Sequence, residues 1–168
     1  ITANEDTLED FCAGHIKTDE ATILINVLNE KLGNDTIQFY PGKSYRHVMV
    51  YKGAQKMDAR CFPPHDIMGQ SIQKHLPKGN GSEILTDLME RSRAYLSNHD
   101  VNKVRIDLEE NPANMIWLWG QGHRPKMPTF KERFNLTGAV ITAVDLIKGI
   151  ACYLGWDIIH VPGATGYL

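Results

Sequence analysis

Apolar residues at Ala21, Leu24, Val27, Leu28 and Leu32 recur at the spacing of a helix with one buried face. Thr18 stands at the N-cap position, Asp19 and Glu20 place negative charge in the first turn, and Gly33 follows the last periodic residue. A helix over 19–33 is the prediction. A longer pattern runs from a Ser82 cap to about Asn98, with Leu85, Leu88, Met89 and Leu96 on its buried side. Val101 to Glu110 reads as a further short helix. Ile37 to Tyr40 is a short strand, and Pro41-Gly42 is a turn. Tyr45 to Tyr51 alternates like a strand, with Tyr45, His47, Met49 and Tyr51 on one face and Arg46, Val48 and Val50 on the other. Cys61 to Gly69, around Pro63-Pro64, and Pro77 to Gly81 are loops.

The last third of the chain changes rhythm. Met115 to Trp119 has the pattern of a buried strand and runs into Gly120-Gln121-Gly122. A helix over Thr129 to Phe134 follows, then a strand over Gly138 to Thr142 and a helix over Val144 to Leu154 closed by Gly155. A strand over Asp157 to Val161 comes last. Strand alternating with helix predicts βαβ units, and hence an α/β fold with a mixed, largely parallel sheet covered by helices. At 168 residues the chain has the length of one domain, able to bury roughly 70% of its unfolded surface.

Composition narrows the classes. Hydrophobic residues at 42% and charged residues at 23% are those of a globular chain. A net charge of −2 argues against nucleic acid as a partner, and no apolar run approaches the ~20 residues of a membrane helix. ITANEDTLEDF is acidic and lacks the apolar stretch of a signal peptide, and the chain starts at Ile1 and stops at Leu168 as an excised domain would. Cys12, Cys61 and Cys152 are widely spaced and read as reduced thiols of a cytoplasmic protein. Asn80-Gly81-Ser82 and Asn135-Leu136-Thr137 match the glycosylation pattern by chance on that reading.

Candidate chemistry is scattered and points to anions. Two glycines around an amide in Gly120-Gln121-Gly122 let backbone approach a ligand, and His123, Arg124, Lys126, Lys131, Arg133 and Lys148 bring positive charge nearby. His15, in Gly14-His15-Ile16 before the first helix, suits either an anion at the helix start or plain solvent. Arg46 within a strand needs a partner, a structural carboxylate or a ligand anion. In Pro63-Pro64-His65-Asp66 the carboxylate could orient the imidazole for proton transfer. Asn102 and Arg105 stand three apart on a helix, either toward a ligand or solvated. Lys148 is placed for an anion or for a nearby carboxylate. Trp117 and Trp119 fall on one strand face and read as core. The nucleophile-elbow, zinc-protease and nucleotide-binding motifs are all missing.

The segments AGHIKTDEA, FYPGKSYRHVMVYKG, PPHDIMG, NHDVNKVR, NPANMIWLWGQG, PTFKERFNLTGAVITAVDLIKGI and VPGATGY together resemble the archaeal-type, cofactor-independent phosphoglycerate mutase family. The resemblance runs through the whole chain in order, and is closest to a branch sometimes labelled probable homoserine kinase. It implies membership of the alkaline phosphatase superfamily. It also implies that the chain is the inserted middle, substrate-binding (transferase) domain, over 1–168, with the split phosphatase-like domain outside it. That missing domain would carry a serine nucleophile and two divalent metals, manganese or zinc, and no cofactor is expected within this chain.

The activity implied is an isomerase of glycolysis that interconverts 3-phosphoglycerate and 2-phosphoglycerate through a phosphoserine. By resemblance, His15 is the catalytic histidine near the phosphoryl group, and Arg46, His65, Asp66 and Lys148 face the cleft. Asn114, Gly120, Gln121 and Gly122 supply a loop over the substrate, and Asn102 and Arg105 are further carry-overs. Convergence of His15, Arg46, His65 and Lys148 on one cleft is expected. Phosphotransfer to another small hydroxy compound such as homoserine is the alternative activity. A folded binding module without turnover is the alternative for the isolated chain.

Overall fold

Helix α1, Thr18–Leu32, buries Ala21, Leu24, Ile25, Leu28 and Leu32, the stripe that its spacing predicts, in a computed structural model that describes residues 1–162. Thr18 is the first helical residue and Lys17 occupies the cap position, a one-residue shift from the expectation. The described chain forms two compact units, Ile1–Gln121 and Gly122–Leu168. The segment VPGATGY lies outside the described residues from Gly163 onward.

In the N-terminal unit β1 (Thr2–Asn4) and β2 (Thr7–Asp10) form an antiparallel hairpin. A second antiparallel pair joins β3 (Ile37–Tyr40) to β4 (Val48–Tyr51), with Ile37 opposite Tyr51 and Tyr40 opposite Val48. A single 3-10 turn spans Pro64–Asp66 and the short helix α2 spans Ile72–His75. Helix α3, Ser82–Leu96, is preceded by Gly81 with φ +82°, so the cap position belongs to Gly81 and Ser82 begins the helix. Helix α4, Asp100–Asp107, is capped by the imidazole of His99, which accepts from Val101 N–H at 3.2 Å.

Helix α3 separates two clusters of apolar side chains. Leu88 and Leu96 pack with the buried face of α1, Ala13, Ile16 and Phe39. Met89 packs with Leu8, Ile67, Ile72, Met115 and Trp117. Met115 and Trp117 alternate with Ile116 and Leu118, so the segment is extended, but it is not a strand. Side chains meet part of the polar backbone here and just before it. Ser92 Oγ accepts from Ile116 N–H at 3.1 Å, and the fully buried Asn102 both accepts from Ala113 N–H and donates to Ala113 C=O. A hydrogen-bonding side chain therefore does what a neighbouring strand would do.

The C-terminal unit contains α5 (Phe130–Phe134), β5 (Ala139–Val140), α6 (Asp145–Leu154) and β6 (Asp157–Ile158). Thr129 and Glu132 form a reciprocal capping box on α5, and Gly155 at φ +69° ends α6. Strands β5 and β6 pair in parallel across α6, as the strand–helix–strand order predicts, although each is two residues long. The α/β class is as expected. The sheet is not largely parallel: of three two-stranded sheets among the described residues, only β5–β6 is parallel. Short loops join the other pairs, and a short loop returns the chain antiparallel. No helix among the described residues is long and apolar enough to cross a membrane.

Candidate functional site

Five rings in the N-terminal unit form an edge-to-face row. His15 meets Tyr45 at 6.0 Å between centroids, Tyr45 meets Phe11 at 5.6 Å, Phe11 meets His65 at 6.1 Å, and His65 meets Trp119 at 5.5 Å. Such contacts orient each ring through its quadrupole. Arg46 lies over the Tyr45 ring at 4.5 Å and donates to its hydroxyl at 2.7 Å. His65 Nε2 stands 3.6 Å from Asp66 Oδ1, so these sequence neighbours do face each other. His15, Arg46, His65 and Asp66 are exposed, whereas Phe11 and Tyr45 are half-buried beneath them. The row thus presents two imidazoles, one carboxylate and one guanidinium to solvent on a partly buried aromatic base. Those groups suit an anion and proton transfer.

Local structure explains the display. Arg46 and His47 precede β4 and do not lie within it. Arg46 N–H donates to Lys43 C=O at 3.1 Å, and Ser44 has φ +55°, so the chain turns at 43–46 before the strand begins. Of the two partners considered for Arg46, no structural carboxylate among the described residues meets it; its guanidinium donates to the Tyr45 phenol, and a ligand anion stays open. His47 Nδ1 accepts from Gly42 N–H at 3.1 Å, and burial pushes its pKa down to about 4. It is therefore neutral at pH 7 and structural.

His15 ends a run of three positive φ values: Ala13 at +48°, Gly14 at +63° and His15 at +52°. Asp10 holds this turn from one side, with Oδ2 accepting from Gly14 N–H at 2.6 Å and Oδ1 from Cys12 N–H at 2.8 Å. Burial would raise the Asp10 carboxyl. Hydrogen bonds from Cys12 Sγ, Asn111 and the backbone N–H groups of Gly14 and Cys12 outweigh it and hold the group well below the usual carboxylate range. Burial, then the neighbouring Asp10, pushes the Cys12 thiol up, so it stays a protonated donor and is no nucleophile.

Two carry-overs point inward. Arg105 is 2% exposed and spends its guanidinium on Asn111 C=O, Ala13 C=O, Glu20 and Glu110, at 2.8–3.0 Å. Asn102 is fully buried among Leu96 and Ala113. Both side chains are buried and committed to partners inside the fold. Asn114 is pinned to β1, accepting from Ala3 N–H and donating to Ala3 C=O, each at 2.8 Å. Gln121 Nε2 donates to Ala59 C=O, and Gly120 has φ +69° with open space where a Cβ would stand. Gly122 and Lys148 belong to the C-terminal unit, where Lys148 Nζ meets Asp145 Oδ1 at 3.3 Å within α6.

Phe11 and Tyr45, which build the row, and Asp10, which holds the His15 turn, are not singled out by the sequence, and the sequence places Trp119 in the core. Trp117 is buried and donates to Phe62 C=O at 2.8 Å, but Trp119 is 47% exposed against His65. The extended segment turns at Gly120, and its last ring emerges. Among the described residues no group of three His, Cys, Asp or Glu side chains is placed to hold a metal ion.

The profile of the family described as 2,3-bisphosphoglycerate-independent phosphoglycerate mutase matches residues 1–102. A protein of that name from Methanosarcina barkeri (strain Fusaro / DSM 804) is 48% identical over all 168 residues, which span 42% of its length. A protein named probable 2,3-bisphosphoglycerate-independent phosphoglycerate mutase from Geobacter sulfurreducens (strain ATCC 51573 / DSM 12127 / PCA) is 50% identical over 96% of the chain, or 40% of its own length. The chain thus spans about two fifths of the curated relatives it matches. Among solved structures, the cofactor-independent phosphoglycerate mutase from Thermoplasma acidophilum DSM 1728 superposes with a TM-score of 0.64 at 22% identity. That superposition covers 97% of this chain and 45% of the other, and it is a likeness of fold.

Proposed function

This chain belongs to the 2,3-bisphosphoglycerate-independent phosphoglycerate mutase family, and from that premise we propose that it is the substrate-binding domain of such an enzyme. The whole protein would interconvert 3-phosphoglycerate and 2-phosphoglycerate. A serine outside this chain attacks the phosphorus of 3-phosphoglycerate and the bond to the 3-oxygen breaks, leaving phosphoserine and glycerate with a proton on that oxygen. The glycerate turns, its 2-hydroxyl loses a proton and attacks the phosphoserine, and the serine leaves. Two divalent ions, manganese or zinc, belong in this reading to the phosphatase-like part of the polypeptide, where they would act as Lewis acids on the phosphoryl group.

The observation that carries the reading is the row that gathers His15, Arg46 and His65 on one aromatic base. Arg46 would hold a carboxylate or phosphate of glycerate in a fixed orientation, held in turn by the Tyr45 hydroxyl. His15 would take and return the hydroxyl proton, with His65 and Asp66 as an imidazole–carboxylate pair in the same row. The Gly120–Gln121 backbone is proposed to lie over the substrate and keep water from the phosphoserine. Alone, the chain is proposed to bind without turnover.

The test uses the full-length protein with manganese and no added bisphosphoglycerate. Conversion of 3-phosphoglycerate to 2-phosphoglycerate supports the reading. Phosphorylation of homoserine from ATP, without mutase turnover, would replace it with the alternative activity.

A further inference from the structure

We propose that Asp10 and Arg105 are positioning residues for His15, clamping the left-handed Ala13–Gly14–His15 turn from its N–H side and its C=O side. This rests on the reading of His15 as the group at the reacting phosphoryl. Positive φ is strained at a residue with a Cβ, and Ala13 and His15 both adopt it, so the turn persists only where its surroundings enforce it. Asp10 receives the Gly14 and Cys12 N–H groups. Arg105 Nη2 donates to Ala13 C=O at 2.8 Å. Asn111 closes the circuit: its Nδ2 donates to Asp10 at 2.9 Å, and its C=O accepts from Arg105 Nε at 2.9 Å. Gly14 is required twice over, by its φ and because a Cβ there would stand 3.2 Å from Arg105 Nη2.

The circuit leaves the imidazole of His15 exposed and edge-on to Tyr45. Neither clamp is arranged to touch substrate: Arg105 is buried with each of its three guanidinium nitrogens engaged, and the Asp10 oxygens accept from four donors. Their effect on chemistry would come through the backbone of the turn, which decides where the ring sits.

The experiment records imidazole 1H–15N spectra of the full-length protein, with the His15 signal assigned by its loss in His15→Gln, together with steady-state kinetics. Asp10→Asn keeps the shape and loses an acceptor toward Gly14 and Asn111. The expected result is a displaced His15 signal and at least a tenfold lower kcat, with KM for 3-phosphoglycerate within twofold. Asn111→Ala, at an exposed position, cuts the link to Asp10 with little risk to folding and should move the same signal by less; it decides the matter if Asp10→Asn does not fold. A folded variant with the His15 signal and kcat of the parent overturns the inference. If the parent has no mutase turnover but Asp10→Asn still moves the His15 signal, the mutase reading fails and the clamp stands.

Discussion

The guanidinium of Arg105 donates to the carbonyl oxygen of Ala13 at 2.8 Å, across 92 positions of sequence. It also pairs with Glu20 on α1 and Glu110 beyond α4. Arg105→Lys keeps the charge but not the fork that spans these partners. Removing one member of a buried charge network costs about 3–5 kcal/mol, and the lysine variant should lose about half of that. Urea unfolding of parent and variant measures it; equal midpoints would show that the network contributes nothing.

Asn102 carries a different burden, because it replaces a strand partner. Asn102→Ala leaves the N–H and C=O of Ala113 and the C=O of Leu96 without their side-chain partner in the interior. A cost of about 2–4 kcal/mol follows from unmade buried hydrogen bonds and the cavity. Thermal unfolding should show a loss of several degrees, whereas Asn98→Ala, at an exposed position, should show almost none.

Stability should fall on acidification through His47. Its pKa is about 4 in the fold against 6.5 unfolded, so between those values the unfolded chain binds a proton that the folded chain refuses. The His47 contribution is therefore full above 6.5 and is lost as the pH drops toward about 4. The ring keeps some contact with solvent, so the loss should be about 1–2 kcal/mol. His47→Asn retains an acceptor for Gly42 N–H and should flatten that slope. The Asp10 contribution is lost only in more acidic solution and does not mask it. Parallel pH profiles of parent and variant would remove His47 as the cause.

Arg46 and Tyr45 should act on binding together. Arg46→Ala in the full-length enzyme should raise KM for phosphoglycerate by roughly tenfold or more, the scale of one charge-assisted contact. Tyr45→Phe keeps the ring and loses the hydroxyl that holds the guanidinium, and should raise KM by about two- to fivefold. A double variant no worse than Arg46→Ala would show that Tyr45 works through Arg46. Unchanged kinetics in Arg46→Ala would take Arg46 out of the site.

The buried stripe of α1, the Leu88–Met89–Leu96 face of α3 and the Thr129–Gly155 frame of the C-terminal unit were legible in the sequence. Each is set by local spacing, by capping side chains or by a glycine at positive φ. The Met115–Trp119 pattern predicts a strand; the run is extended and apolar but joins no sheet among the described residues, and Ser92 takes up the Ile116 N–H while Asn102 holds the preceding Ala113. No local pattern shows that two polar helix positions will face a strand-like segment.

His15, Arg46 and His65 could be named from their motifs, since residue type and neighbours along the chain carry that information. That Phe11 and Tyr45 bring them into one row, that Trp119 leaves the core to meet His65, and that Arg105 turns inward were decided by the tertiary structure. Helix periodicity is a short-range property, fixed by 3.6 residues per turn. A contact between residues 92 positions apart is the outcome of packing, in which a buried guanidinium must find every partner it needs or the fold is lost.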